Sequence, residues 1–325
     1  MRGISIFAVI VAATIVGAAS GATQGTKLAL VAYSTPKDAY GKIISSFQST
    51  SAGKDVSFSQ SYGASGDQAR NVLNGQPADI VAFSLQPDMS LLVHRGLVAG
   101  NWNRDKFKGM VTDSVVVFVV RDGNPKKIHS WNDLTKKGID VITPNPFTSG
   151  GARWNVIAGY GAQRKLGKSH KQAVAWLTKL FHHVSVQPDS ARAALTVFAQ
   201  GKGDVLLTYE NEAIYANKKG VRTDYVVPKQ TVLIENPVAV TKSGAKHAEA
   251  KAFVKFLHSK KAQQIFGDTG YRPVLSSVAR QYHFKKPAGL FTIHQLGLGG
   301  WAKVEKRWFD PNNGIMAKIE KSLGH

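Results

Sequence analysis

Three short segments of the sequence place serine, glycine and alanine where a helix is expected to begin. They are Ser65-Gly66, Ser149 to Ala152, and Ser190-Ala191. The first turn of a helix has backbone N–H groups without a partner inside the helix, and the helix dipole adds partial positive charge there. Glycine lets an anion approach the backbone closely, and a serine hydroxyl donates a further hydrogen bond. Each segment could therefore bind a small oxyanion, although the same residue types also form ordinary helix caps and turns.

The sequence around these segments predicts the fold that would position them. Strands and helices alternate along nearly the whole chain after residue 26, which is typical of an α/β fold with mostly parallel strands and helices on both faces. We predict strands at 27–33, 56–59, 79–83, 115–120, 140–143, 184–186, 204–208 and 232–240, and a single long helix at 248–266. Ligands of open α/β sheets bind at the carboxyl ends of strands, where the three segments would lie.

The length of 325 residues is sufficient for two lobes, each with its own hydrophobic core. Linkers rich in Pro or Ser are absent from the sequence, so we expect strands to cross between the lobes. Trp301 and Trp308, near the C-terminus, are expected to pack within a lobe.

The first 22 residues are predicted to be a signal peptide. Arg2 is the only charged residue before Lys27, Ile4 to Val16 form an apolar run, and Ser20-Gly21-Ala22 offer small residues at a cleavage site. The apolar run is shorter than the ~20 residues that a membrane-spanning helix needs. We therefore expect export to the periplasm, with cleavage near Ala22.

Composition excludes several kinds of chemistry. The chain has no cysteine, which excludes disulfides, thiolate metal sites and cysteine nucleophiles. Its formal net charge of +21 favours an anionic partner, but the basic residues form scattered pairs and no long block, so nucleic acid is not expected. His182-His183 lack further ligands at metal-binding spacing, and the sequence contains no G-x-S-x-G nucleophile motif.

The segments alone leave the choice of oxyanion open. A fully ionised sulfate offers only hydrogen-bond acceptors, whereas phosphate at neutral pH keeps a proton and needs an acceptor as well. Asp67 and Asp189 lie close to the segments and could accept a hydrogen bond from such a proton, although both also occupy helix-capping positions.

The run from Val141 to Asn155, VITPNPFTSGGARWN, closely resembles a signature of the periplasmic sulfate- and thiosulfate-binding proteins of ABC importers. Further segments resemble the same family in the same order, so that the similarity covers essentially the whole chain after the predicted signal peptide. These segments are Gln60 to Ala69, Val120 to Leu134, Asp189 to Phe198, Gly203 to Ala213, and the later GYRP and GGWAK. The resemblance implies a two-lobed "Venus flytrap" fold that closes over a dehydrated oxyanion, with residues 26–112 and 236–325 in lobe 1 and residues 113–235 in lobe 2.

The resemblance also implies which residues bind the anion, using main-chain N–H groups and hydroxyl or indole donors without a balancing cation. The implied residues are Ser34, Ser65, Ser149, Gly150, Gly151, Ala191 and Tyr209. Ser34 occupies the place of an aspartate that contributes its backbone, and Tyr209 that of an indole donor. A phenol also donates a hydrogen bond, but from a different position, so sulfate, thiosulfate and other oxyanions remain open. Arg153 matches the family and is expected to support the site without contacting the anion.

The resemblance implies a monomeric binding protein that delivers its anion to the permease subunits of an ABC transporter. It implies no catalytic residues, no metal and no cofactor. The alternatives are a binding protein for phosphate or molybdate, an exported hydrolase, or a basic protein that binds polyanions.

Overall fold

A computed structural model describes residues 25–324, so the predicted signal peptide lies outside the described residues. The strands are Lys27–Tyr33 (β1), Ser57–Gly63 (β2), Ile80–Ala82 (β3), Met110–Arg121 (β4), Val141–Ile142 (β5), Val184–Val186 (β6), Val205–Tyr209 (β7), Thr223–Val226 (β8), Gln230–Val240 (β9), Arg272–Pro273 (β10) and Gly289–Phe291 (β11). The α-helices are Lys37–Gln48 (α1), Ser65–Leu73 (α2), Gln86–His94 (α3), Gly150–Lys165 (α4), His170–Phe181 (α5), Ala191–Ala199 (α6), Glu210–Lys218 (α7), Ala248–Leu257 (α8), Lys260–Asp268 (α9), Ser276–Ala279 (α10), Gly300–Trp308 (α11) and Ile315–Leu323 (α12).

Two groups of parallel strands are joined by two long strands. In the first group β1 pairs in parallel with β2 and β3, and in the second β5 pairs in parallel with β6 and β7. Strand β9 pairs antiparallel with β3 of the first group and with the first half of β4. The second half of β4 pairs antiparallel with β7 of the second group. The predicted α/β fold of two lobes joined by crossing strands is therefore confirmed, with β4 and β9 as the crossing strands.

The apolar run of β4 explains why this strand can pass through the centre of the molecule. Val116, Phe118 and Val120 belong to the largest apolar cluster, whereas Val115, Val117 and Val119 belong to a separate cluster on the other face. Successive side chains of a strand point to opposite faces of the sheet. When both faces are covered, all of these side chains are removed from water, and a continuous apolar run is required.

Several strands lead, at their carboxyl ends, into the helices whose first residues are candidates for the anion site. Strand β2 leads into α2, β5 into α4, β6 into α6, and β7 directly into α7. Strand β3 ends two residues before Ser84, which precedes α3. The topology therefore brings the three serine- and glycine-containing segments to strand ends, as the sequence predicts.

The prediction of one helix at 248–266 is wrong. The structure has two helices, α8 and α9, that are separated at His258 and Ser259. The Ser259 hydroxyl accepts a hydrogen bond from the backbone N–H of Ala262 at 3.2 Å and so caps a new helix. The apolar face runs through both helices, so the hydrophobic periodicity of the sequence does not indicate the break.

The C-terminal helices α11 and α12 contact lobe 2. Trp301 packs edge-on against Trp154 of α4, with ring centroids 4.7 Å apart, and Trp308 packs against Tyr160 of the same helix at 4.5 Å. Helix α12 contacts α5, and β11 pairs with the first residues of β9. The lobe boundaries stay a prediction, and from these contacts we propose that residues 289–324 belong with lobe 2 although the sequence assigned them to lobe 1. Within residues 25–324, no helix is both long enough and apolar enough to cross a membrane.

Candidate functional site

The N-terminus of α4 presents Ser149, Gly150 and Gly151 in a buried position. Ser149 is the N-cap, and its hydroxyl oxygen accepts a hydrogen bond from the N–H of Ala152 at 3.3 Å. This cap uses a lone pair of the oxygen and leaves the hydroxyl proton available. The first turn of α4 contains no acidic residue, so its N–H groups keep their attraction for an anion.

Gly150 lies against the segment that follows β3 in the other lobe. A Cβ atom on Gly150 would lie 2.2 Å from Leu85 Cδ2 and 2.5 Å from both Cβ and Oγ of Ser84. These distances leave no room for a side chain, and lobe 1 therefore touches the start of α4 directly. The cleft is closed at this point.

Tyr209 ends β7 beside the same turn. Its hydroxyl lies 2.6 Å from Ser84 Oγ, and a Cβ atom on Gly151 would lie 2.8 Å from Tyr209 Cε2. The Tyr209 ring is 2% exposed and its centroid lies 6.2 Å from that of Tyr33. Burial raises the pKa of Tyr209 well above its usual value, so the phenol keeps its proton.

Ser65 begins α2 in the same cluster, and its hydroxyl is already engaged. The hydroxyl donates to Asp88 Oδ2 at 2.6 Å and accepts from the N–H of Ser84 at 2.9 Å. The N–H of Gly66 donates to the carbonyl of Thr148 at 3.0 Å, which links α2 to the turn before α4. In this arrangement the Ser65 proton is directed at Asp88 rather than at the centre of the cleft.

Ala191 is the first residue of α6 and lies next to the α4 turn. The hydroxyl of Thr148 donates to the carbonyl of Asp189 at 2.8 Å, which holds the two turns together. Ser190 caps α6 by accepting from the N–H of Ala193 at 3.2 Å. The N–H groups of this helix start therefore lie beside those of α4.

Ser34 directly follows β1 and is half-buried. The carbonyl of its neighbour Thr35 accepts a hydrogen bond from Arg192 Nη2 at 2.9 Å. Arg192 directly follows Ala191, so this contact brings the Ser34 segment of lobe 1 to the start of α6 in lobe 2.

Arg153 and Ser65 both contact the carboxylate of Asp88. Its guanidinium contacts Asp88 Oδ1 at 3.3 Å and Glu305 Oε1 at 3.0 Å, and its Nε donates to the carbonyl of Pro146 at 3.0 Å. Burial raises the pKa of Asp88, and the charge of Arg153 opposes this rise. Arg153 thus joins α3, α4 and α11 and holds the carboxylate that accepts the hydrogen bond of the Ser65 hydroxyl.

A second ion-pair network lies at the other side of the cleft. Arg192 makes a two-pronged contact with Glu212, with Nε–Oε2 2.7 Å and Nη2–Oε1 2.8 Å, and also contacts Asp38 at 3.4 Å. Glu212 is fully buried; burial raises its pKa, and its hydrogen bond and charge contact with Arg192 oppose that rise.

Sequence reasoning missed Ser84, Asp88, Arg192 and Glu212. Ser84 had a usable signal, since it follows a predicted buried strand as a small polar residue at a carboxyl end. Asp88 and Glu212 lie in the first turns of helices, where a carboxylate is an ordinary capping residue. Only their burial distinguishes them, and burial of a single helix-terminal acid is not visible in sequence.

The donors gathered here are backbone N–H groups and hydroxyls, which suit an anion. Residues 25–324 contain no group of three or more His, Cys, Asp or Glu side chains placed to hold a metal ion. The cluster lies between two lobes at the carboxyl ends of strands, and this architecture is that of two-domain binding proteins of the periplasmic type.

Comparison with known proteins gives the family. The chain belongs to the bacterial extracellular solute-binding proteins, whose family description matches residues 28–272. It is 43% identical to the sulfate-binding protein SubI from Mycobacterium tuberculosis H37Rv, whose structure superposes with a TM-score of 0.84 over 88% of this chain and 100% of that one. It is therefore related to binding proteins and not to enzymes.

Two further relatives are similar over nearly their full length. A sulfate-binding protein of Synechococcus elongatus is 39% identical over 314 residues, covering 93% of this chain and 89% of the relative. A thiosulfate-binding protein of Pseudomonas aeruginosa is 34% identical over 306 residues, covering 90% and 91%. Both relatives are named for a small sulfur oxyanion.

Proposed function

We propose that this protein captures sulfate or thiosulfate between its lobes and delivers the anion to the permease subunits of an ABC transporter. The named anions of its relatives support this choice. The physical support is the set of neutral donors at the start of α4, together with the start of α6 and the Ser84 and Tyr209 hydroxyls. The proposed ligand-binding residues are Ser34, Ser65, Ser149, Gly150, Gly151, Ala191 and Tyr209, with Arg153 in support.

The contact of Gly150 with Ser84 and Leu85 carries the proposal. Lobe 1 covers the N-terminus of α4 so closely that no side chain fits between them. An anion at this helix start is therefore removed from bulk water, where interactions with N–H dipoles and hydroxyls are stronger than at a surface. Sulfate suits such a site because it accepts hydrogen bonds and has no proton to give.

Closure of the two lobes would then trap the anion. Opening about the crossing strands β4 and β9 would separate Ser34, Ser65 and Ser84 from Ser149 to Gly151, Ala191 and Tyr209. We further propose that the mature protein is a periplasmic monomer, with cleavage of the signal peptide near Ala22. The net positive charge, which is +21 for the chain with its signal peptide, would speed the approach of a dianion at low salt.

Titration calorimetry of the purified mature protein tests the proposal. Sulfate, thiosulfate, phosphate and molybdate are titrated separately, followed by competition of sulfate against thiosulfate. We expect binding of sulfate or thiosulfate well below millimolar concentration. Absence of submillimolar binding for all four anions would contradict the proposal.

A further inference from the structure

An open groove in lobe 1 lies between the C-terminal end of α1, the segment that precedes β4, and α8. Its volume is about 960 Å³, which is within the range of sites for small organic ligands. Its walls are formed by the apolar side chains of Phe47, Phe107, Val240, Ala252, Val254 and Phe256. Phe47 is buried and the other five are half-buried, so this apolar surface is recessed and does not protrude. We call it the α8 groove.

The α8 groove is separate from the anion cleft. Ser34 and Thr35 of the cleft come just before α1, whereas Phe47 lies in the last turn of this helix. The twelve residues of α1 span about 18 Å. The groove therefore lies at the other end of α1, and binding of an anion between the lobes does not account for it.

Three exposed lysines line the groove. Lys251 and Lys255 are one turn apart on α8. Lys106 Nζ lies 4.9 Å from the ring centroid of Phe107. None of the three lysines forms an ion pair with another residue of the described range 25–324. Like charges one turn apart destabilise a helix, so an anionic group at this rim would be stabilising.

The other polar side chains of the lining are already hydrogen-bonded to backbone groups. Asp105 accepts from two backbone N–H groups, and the Thr50 hydroxyl donates to the carbonyl of Phe47 at 2.6 Å. Both ring nitrogens of His258 lie within 3.2 Å of backbone carbonyls, and Ser259 caps α9. A peptide inside the groove would leave N–H and C=O groups without partners, whereas an acyl chain has no such groups.

We propose that the α8 groove binds a long-chain carboxylate, with its acyl chain on the apolar walls and its head group paired with the lysines of the rim. The unpaired lysines favour an anion. The recessed walls favour a ligand that enters the groove over a flat membrane surface, which requires apolar side chains that protrude. This site is independent of the proposed oxyanion function.

Calorimetry of the mature protein with octanoate, decanoate and dodecanoate tests the site, at concentrations below those at which they form micelles. We expect one molecule to bind per protein, with a Kd that falls about fourfold for each added CH₂ group, because each CH₂ is removed from water. Dodecyltrimethylammonium is the control for the head group. It has the same chain and the opposite charge, and it should not bind at the same concentrations.

Two variants separate the rim from the walls. Lys251→Gln with Lys255→Gln removes two charges, and the dodecanoate Kd should rise about fivefold to tenfold. Lys165→Gln with Lys171→Gln is the matched control, because it removes two exposed, unpaired lysines from lobe 2 and should keep the native Kd. Ala252→Phe fills the groove without a change of charge and should abolish dodecanoate binding. The sulfate Kd should be the same in all of these variants, since none of them touches the cleft.

Three results would overturn the inference: equal binding of dodecanoate and dodecyltrimethylammonium, no gain in affinity with chain length, or native dodecanoate affinity in the Lys251 and Lys255 double variant. Two further probes identify a different occupant. A synthetic amphipathic helix of Leu and Glu that binds more tightly than dodecanoate would show that the groove fits an acidic protein segment. Co-sedimentation with phosphatidylglycerol vesicles without dodecanoate binding would show a membrane-binding surface. Either result would replace the long-chain carboxylate.

Discussion

The lobes meet through two different kinds of contact. The neutral centre consists of Ser65, Ser84, Ser149, Gly150, Gly151 and Tyr209, whose contacts are hydroxyls, N–H groups and close backbone approaches. The charged margins are the Arg153–Asp88–Glu305 and Arg192–Glu212–Asp38 networks. Positive charge thus joins the lobes at the margins of the cleft, while the donors for the anion are uncharged.

The carboxylates explain why the arginines stay out of the neutral centre. Asp88 and Glu212 are buried, and moving Arg153 or Arg192 toward an anion would leave a buried carboxylate without its partner. Such a loss costs roughly 3–5 kcal/mol. The margins can therefore stabilise the closed form without supplying a counter-ion that would also bind other anions.

The largest effect is expected for Arg192→Met, because this variant removes the arginine from one of the charged margins. Glu212 is 0% exposed and would lose its two-pronged partner, so we expect the free energy of unfolding to fall by roughly 3–5 kcal/mol. Urea unfolding followed by circular dichroism measures this change. Adding Glu212→Gln should recover most of the loss, and a single variant as stable as the native protein would show that the pair is not buried as described.

Gly150→Ala tests the neutral centre. Its methyl group would lie 2.5 Å from Ser84 Cβ across the cleft, an atom that is bonded to the backbone and cannot turn away, so the lobes could no longer close over the anion. We expect the sulfate Kd to rise by more than about 100-fold, or more than ~2.7 kcal/mol. Gly41→Ala in α1 is the control, because a Cβ atom there meets no atom within 4 Å. Native affinity in Gly150→Ala would mean that the lobes do not meet at this glycine.

Ser149→Ala should have a smaller effect on the neutral centre. It removes one hydroxyl that could donate to a buried charge, and hydrogen bonds to charged groups contribute about 1.5–3 kcal/mol. We expect binding to weaken by about 1–2 kcal/mol, or roughly 5–30-fold. Ser169→Ala is the control for the loss of a helix cap. The Ser169 hydroxyl caps α5, away from the cleft, by accepting a hydrogen bond from the N–H of Gln172 at 3.2 Å. Equal affinities in the two variants would restrict Ser149 to a capping role.

The same contrast explains what the sequence could predict. The neutral centre is carried by short local patterns, such as Ser149-Gly150-Gly151 after a strand, and the structure brings these segments together. The margins depend on pairs far apart in the chain, such as Asp88 with Arg153 and Arg153 with Glu305. No local periodicity predicts which acid meets which arginine. For the same reason the sequence does not predict the packing of α11 on α4, which is decided by tertiary contacts of Trp301 and Trp308.

The crossing strands form a third region, in which acids face each other directly. Asp113 of β4 lies opposite Glu235 of β9 on one side and Arg272 of β10 on the other. Burial, and next the charge of Glu235, raise the pKa of Asp113 to about 7, while Arg272 opposes the rise. The guanidinium of Arg272 is already bound to Glu210 at 2.8 Å, so it only partly offsets the repulsion between the two acids.

Asp113→Asn should therefore make stability less dependent on pH. A carboxyl whose pKa is raised in the folded state stabilises the fold at low pH, and this contribution is lost as pH rises from about 4 to about 7. The variant should lose less unfolding free energy than the native protein between pH 6.0 and pH 7.5, by on the order of 1 kcal/mol, measured by urea unfolding. Asp55→Asn, at an exposed site, is the control and should keep the native slope. An equal change of unfolding free energy with pH in all three proteins would mean that Asp113 is ionised in the folded state at both pH values. The acids of the crossing strands would then be buried in charged form, like those of the charged margins.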